Sequence, residues 1–240
     1  MTKTVLITGG TRGVGEALVT LCLSKGYEVI ATGSSATSVA NAKTKQPNVS
    51  WYVCDLSEQA QLTSLANALE GKALDMVFHN AGVQQPRDLF VANNEVISVE
   101  QETQINFTAP IMLTRLLFDN IRRSNGTWVF VTSGLAIAPK QSSPIYCANK
   151  AGLRAFCKSF RGQIKLHQSQ IKVCEAILPL VDTDMTRGRG KGKITPEQAA
   201  EEIVAGALKG QAEIKVGKMR AVMLLRKLFP NTIENIMLKA

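Results

Sequence analysis

The run Thr4-Val5-Leu6-Ile7-Thr8 passes straight into Gly9-Gly10-Thr11-Arg12-Gly13-Val14-Gly15 and then into a helix-length segment ending near Ser24. A strand that empties into spaced glycines and a helix is a βα unit whose loop sits at the end of a sheet. The glycines allow a tight turn and a close backbone approach, and the helix start offers unpaired N–H donors at the positive end of its dipole. That arrangement suits a pyrophosphate. A tight strand-to-helix turn without a ligand is the plainer alternative.

The alternation continues along the chain. Short β-branched runs over 28–32, 49–53, 74–78, 127–132 and 171–177 alternate with helix-length segments, and a further run at 213–216 reads as a seventh, edge strand. Helical patterns cover 14–24, 100–122 and 145–167; another helix starts at Thr195, Pro196 and Gln198 and ends near Gly210. Caps of this kind, a Thr followed by Pro in the first turn and Gln three residues on, mark helix starts. Alternating strands and helices predict a single-domain α/β chain over 1–240, a Rossmann-type doubly wound parallel sheet with helices on both faces. At 240 residues, 45% hydrophobic and 20% charged, the chain can bury a core of that size.

Five cysteines, Cys22, Cys54, Cys147, Cys157 and Cys174, are scattered without a CxxC spacing, and the two histidines, His79 and His167, form no cluster. No metal site is predicted, and the thiols read as reduced and buried in a cytoplasmic protein. The net charge of +9 favours anionic ligands. Nucleic acid is excluded as a partner, because aromatics are only 5% of the chain and do not interleave with its cations.

Tyr146 and Lys150 stand four residues apart, with Ser133 thirteen residues before the tyrosine. On a helix, that spacing puts phenol and ammonium on one face. A free Tyr has a pKa of about 10, so work as an acid or base at neutral pH requires help for its anion, which a close ammonium and an oxidised nicotinamide could give together. An isolated pair of this spacing also fits a packed tyrosine beside a solvated lysine. The glycine loop is what gives the pair a use.

Taken with Asp55, the turn Asn80-Ala81-Gly82 and Asn106, these residues resemble the short-chain dehydrogenase/reductase family in kind and in order, from about Thr4 to Thr186. Gly82-Val83-Gln84, Asn106 through Pro110 and Val181-Asp182-Thr183-Asp184 look most like a bacterial subfamily associated with D-alanine esterification of teichoic acids. The resemblance implies a catalytic set of Asn106, Ser133, Tyr146 and Lys150. Tyr146 would move the proton, Lys150 would lower its pKa and hold the nicotinamide ribose, Ser133 would bind the substrate oxygen, and Asn106 would bend its helix and hold a water leading to the lysine. It implies a cofactor site of Gly9, Thr11, Arg12, Gly13, Val14, Gly15, Ser34, Ser35, Asp55, Leu56, Asn80, Ala81, Gly82, Tyr146, Lys150, Val181 and Thr183.

The coenzyme is expected to be NADP(H) in preference to NAD(H). NAD enzymes usually place an acid at the end of the second strand, but here Thr32 to Thr37 contains none, while Arg12, Ser34 and Ser35 could meet a 2′-phosphate. Leu178-Pro179 stands where most members carry Pro-Gly, which would stiffen the backbone near the nicotinamide. At 186–194, cations alternate with glycines (Arg187, Arg189, Lys191, Lys193), reading as a flexible basic substrate loop, a clasp for an anionic substrate or coenzyme phosphates, or a solvated segment. An amphipathic tail over 218–240 would cover the cleft or meet another subunit, with peripheral membrane contact the weaker alternative.

The leading function is an oxidoreductase passing a hydride between NADP(H) and a small carbonyl or alcohol, the substrate having an anionic group as one option. A nucleotide-binding regulator without turnover, and a serine hydrolase using Ser133, are the alternatives from other classes. Apolar residues spread widely around the 100–122 helix, including Ile111, Met112, Leu113, Leu116, Leu117 and Phe118, predict a homodimer or homotetramer through the two long helices.

Overall fold

The computed structural model describes residues 2–91 and 96–239; Met1 and Ala240, the ends of the predicted domain and tail, lie outside them. In chain order the elements are β1 (Thr4–Ile7), α1 (Gly13–Ser24), β2 (Glu28–Gly33), α2 (Ala36–Lys45), β3 (Ser50–Val53), α3 (Gln59–Ala68) and β4 (Met76–His79). There follow α4 (Val99–Thr103), a π-helical turn (Gln104–Thr108), α5 (Ala109–Leu116), α6 (Phe118–Arg122), β5 (Thr127–Ser133) and α7 (Pro144–Leu166). The last are β6 (Lys172–Leu178), α8 (Pro196–Leu208), β7 (Glu213–Lys215), α9 (Met219–Leu228) and α10 (Pro230–Leu238).

All seven strands are parallel, in the order β3-β2-β1-β4-β5-β6-β7. The order reverses between β1 and β4, and in open sheets the crevice at such a reversal is where ligands bind. Strand residues are apolar on both faces, because helices cover both. Val5, Ile7, Val129 and Val131 point into one core with Leu18 of α1 and Ile203 and Val204 of α8. Leu6, Trp128 and Phe130 point into the other with Leu62 of α3, Leu113 of α5 and Leu153 and Phe160 of α7.

The long helix expected over 100–122 is not continuous. Its path is interrupted by the π turn at Gln104–Thr108 and again at Leu117. Pro110 has no N–H to return to the carbonyl four residues earlier, which loosens that turn, and the Asn106 side chain bonds outward to Val83. The tail is likewise two helices, since Phe229 leaves the helical conformation, with ψ at 64°, and Pro230 restarts the second. Among the described residues, no helix is long and apolar enough to cross a membrane.

Candidate active site

The first loop is held rigidly between two strands. Thr8 Oγ donates to the Phe78 carbonyl and accepts from the N–H groups of Asn80 and Ala81, while Gly10 N–H donates to the Thr32 carbonyl at 2.8 Å. Asn80 Nδ2 donates to the carbonyls of Thr8 and Gly9. Gly15 has no room for a side chain, since a Cβ there would lie 2.0 Å from the Gly9 carbonyl oxygen. At the start of α1 no side chain caps the helix, which leaves its first N–H groups for a ligand.

β2 ends in Gly33, where a Cβ would meet the Thr11 methyl at 2.6 Å. A side chain there would have to displace those of Thr11, Ser38 and Val39. A pocket of about 750 Å³ opens beside it, lined by Thr11, Arg12, Ser34, Ser35, Ser38, Asn41, Thr44 and Lys45. Among the described residues it is lined by hydroxyls and two cations and no carboxylate; Lys45 pairs with Glu16 at 3.0 Å, and Ser35 caps α2 with Ser38.

The pocket adjoins a main cleft of about 770 Å³. All the predicted cofactor residues line this cleft except Ser35, which lines the side pocket. Asp55 uses one carboxylate oxygen on the Ser57 amide and hydroxyl. β5 and α7 bring the reacting set together: Ser133 ends β5, Tyr146 and Lys150 lie one turn apart on α7, and Ser133 hydrogen-bonds Tyr146. Lys150 Nζ donates to the Val131 carbonyl at 2.9 Å and stands 5.8 Å from the Tyr146 ring centre. Gln84 Nε2 reaches Ser143, the residue before α7, at 3.0 Å.

Asn106 is fully buried behind the cleft wall, where its amide accepts from the Val83 N–H at 3.0 Å and donates to the Val83 carbonyl at 2.8 Å. It therefore fixes the strand-end turn that carries Gly82. The Tyr146 phenol is pushed up to about 12 by burial, which outweighs the lowering from Ser133. The Lys150 ammonium donates to the Val131 carbonyl, so it faces the phenol across the cleft without a direct hydrogen bond to it. Burial also pushes Lys150 down to about 8, which leaves it mostly protonated at neutral pH.

His79 lies buried between Trp128 and Phe130 with Thr114 on its Nε2, and burial pushes it down to about 3, so it is a neutral packing residue. Cys147 is buried, with its thiol raised by burial and its sulfur against the Lys140 backbone. The substrate end contains residues that the motifs did not single out: Leu135, Lys140, Leu180, Met185 and, from the tail, Met219, Val222 and Met237. The amphipathic pattern of the tail was the only sign of the last three.

A family described as short chain dehydrogenase matches residues 3–193. The chain belongs to that family. It is 34% identical over 221 residues to a Bacillus subtilis (strain 168) protein named uncharacterized oxidoreductase DltE, covering 88% of this chain and 87% of that one. It is 27% identical over 184 residues to the benzil reductase of the same organism, 75% of each chain. A Burkholderia cenocepacia short chain dehydrogenase solved in complex with NADP superimposes with a TM-score of 0.87 at 20% identity, over 100% of this chain and 98% of that one. Family members use a nicotinamide dinucleotide, and the side-chain-free approach at Gly15 with the uncapped start of α1 fits one.

Proposed function

We propose that the chain is an NADP(H)-dependent carbonyl reductase or alcohol dehydrogenase. The observation that carries this reading is the Ser133, Tyr146 and Lys150 set at one end of a cleft whose other end adjoins the acid-free pocket of Arg12 and Lys45. When bound, the nicotinamide supplies or takes up the hydride. Ser133 Oγ orients the substrate oxygen, and one such donor is typically worth about 3 kcal/mol in a transition state. The neutral Tyr146 phenol hands its proton to that oxygen during reduction, and Lys150 balances the phenolate left behind. Asn106 keeps the Val83 backbone, and with it one wall of the cleft, in place.

In the side pocket Arg12 and the hydroxyls of Ser34 and Ser35 would hold the 2′-phosphate, while Asp55 would receive the adenine amine and Val181 and Thr183 would meet the nicotinamide amide. Half-exposed Leu116, on the outer side of α5, supports pairing with a second copy through α5 and α7.

Titration calorimetry with both coenzymes tests the reading, together with NADPH oxidation across a panel of aldehydes and ketones. NADPH should bind at least about tenfold tighter than NADH, and Arg12→Ala should erase most of that difference. Equal affinities in the unmutated protein would reject the coenzyme assignment. Esterase activity without coenzyme, lost in Ser133→Ala, would favour the hydrolase instead.

A further inference from the structure

The four cations of the glycine-rich loop do not share one environment. Gly188, Gly190 and Gly192 all take positive φ, at 74°, 61° and 68°, and a Cβ on Gly190 would sit 2.4 Å from Leu180 Cδ2. Left-handed turns at alternate positions fold the segment back on itself. Arg187 is paired with Asp184, and Lys193 with Asp182 and the Thr186 carbonyl. Arg189 and Lys191 instead line the cleft.

Arg189 is the more firmly placed of the two. It is partly buried, and its guanidinium donates to Gln84 Oε1 at 2.8 Å and to the Met185 carbonyl. Because Gln84 is itself bonded to Ser143 at the start of α7, Arg189 is fixed to the helix that carries Tyr146. It lies close enough to Tyr146 to favour the phenolate electrostatically. The two bonds leave donors of its fork unspent. Leu135, Leu180, Met185, Met219, Val222 and Met237 form apolar walls, and Lys140 and Lys218 stand with Arg189 and Lys191 along the same cleft. Among the described residues its lining carboxylates are Asp55, at the far end from Tyr146, and Asp184, already paired with Arg187.

We infer that the substrate is a carbonyl compound with an apolar body and an anionic end group, carboxylate or phosphate, and that Arg189 receives that group beside Tyr146. This rests on the carbonyl-reductase reading and names the substrate class for it. A clasp on the coenzyme is the competing use of the same cation. Its tie to Gln84 and α7 places Arg189 at the reacting end, whereas the start of α1 and the Arg12 pocket serve the phosphates.

Two pairs of probes test the inference: succinic semialdehyde and terephthalaldehydic acid, each against its methyl ester. Steady-state rates are measured with NADPH, and calorimetry follows binding of each probe to the protein saturated with oxidised coenzyme. The acids should be preferred at least about tenfold in kcat/KM. Arg189→Met should bring acid and ester to parity by raising the KM of the acids at least about tenfold more than that of the esters, with NADPH affinity kept, and Arg189→Lys should keep part of the preference. Equal kcat/KM or equal binding for acid and ester would overturn the inference and leave the reductase reading standing. A loss of NADPH affinity in Arg189→Met as large as the loss for the acids would overturn it in favour of the coenzyme clasp. Preferential binding of the acids without any turnover would support the anion site and count against the reductase reading alone.

Discussion

The coenzyme end and the substrate end of the cleft are built by different means. At the first, the loop from Gly9 to Gly15 is flanked by the strand-end turns at Asp55 and Asn80, and Gly15 has no room for a side chain. At the second, Gln84, Leu135, Arg189, Met219 and Met237 come from segments far apart in the chain, joined by single hydrogen bonds such as Arg189 to Gln84 and the Gln141 N–H to the Leu238 carbonyl. A rigid end suits an unchanging dinucleotide. A wall of separate pieces suits a part that differs between members of one family and sets what each acts upon.

The contrast predicts unequal tolerance. Gly15→Ala puts a Cβ 2.0 Å from the Gly9 carbonyl oxygen, a backbone atom, and 2.7 Å from Asn80 Nδ2, held by the Thr8 and Gly9 carbonyls, so coenzyme affinity should fall by at least about a hundredfold in calorimetry. Retained affinity would mean that the first loop is as pliable as the second.

The reacting set between the two ends gives a pH signature. Tyr146 must be deprotonated to accept a proton from an alcohol, and with its pKa raised to about 12 the phenolate fraction grows as pH rises. Alcohol oxidation should therefore climb about tenfold per pH unit through the neutral and mildly alkaline range, until the bound cationic nicotinamide brings on a plateau. Carbonyl reduction, which uses the protonated phenol, should stay flat over the same range. An oxidation rate flat from neutral pH upward would mean that another group takes the proton.

The smallest effect belongs to the substrate end. A Cβ on Gly188 would touch nothing within 4 Å, so Gly188→Ala carries only the strain of φ 74°, about 1 kcal/mol. Substrate KM should change no more than about threefold, with coenzyme affinity unaltered, as steady-state kinetics and calorimetry can check. A large loss would show that the loop is fixed more tightly than the other side of the cleft.

The same difference governs what could be read from the chain. Strands were placed to within one or two residues because burial on both faces leaves apolar runs such as Trp128-Val129-Phe130-Val131. The cleft-lining residues of the first loop, Gly9 to Gly15, were legible because a local backbone motif carries them. Asn106 was legible as a position but not as a contact, since its bonds to Val83 depend on a π turn that helical periodicity does not reveal. Periodicity likewise joined 100–122 into one helix and missed the interruption ahead of Pro110. Arg189 could not be told from Arg187, Lys191 and Lys193, because which cation enters the cleft is decided by Asp182, Asp184 and Gln84 in three dimensions.

The central claim is that the two ends meet at Tyr146, with coenzyme bound on one side and a proton given on the other. Replacement of this one hydroxyl, in Tyr146→Phe, tests it most directly when NADPH affinity and turnover are measured on the same preparation. Turnover should fall by at least about a thousandfold while NADPH affinity stays within about threefold of the unmutated value. Near-full reductase activity in Tyr146→Phe, with NADPH still bound, would contradict the account.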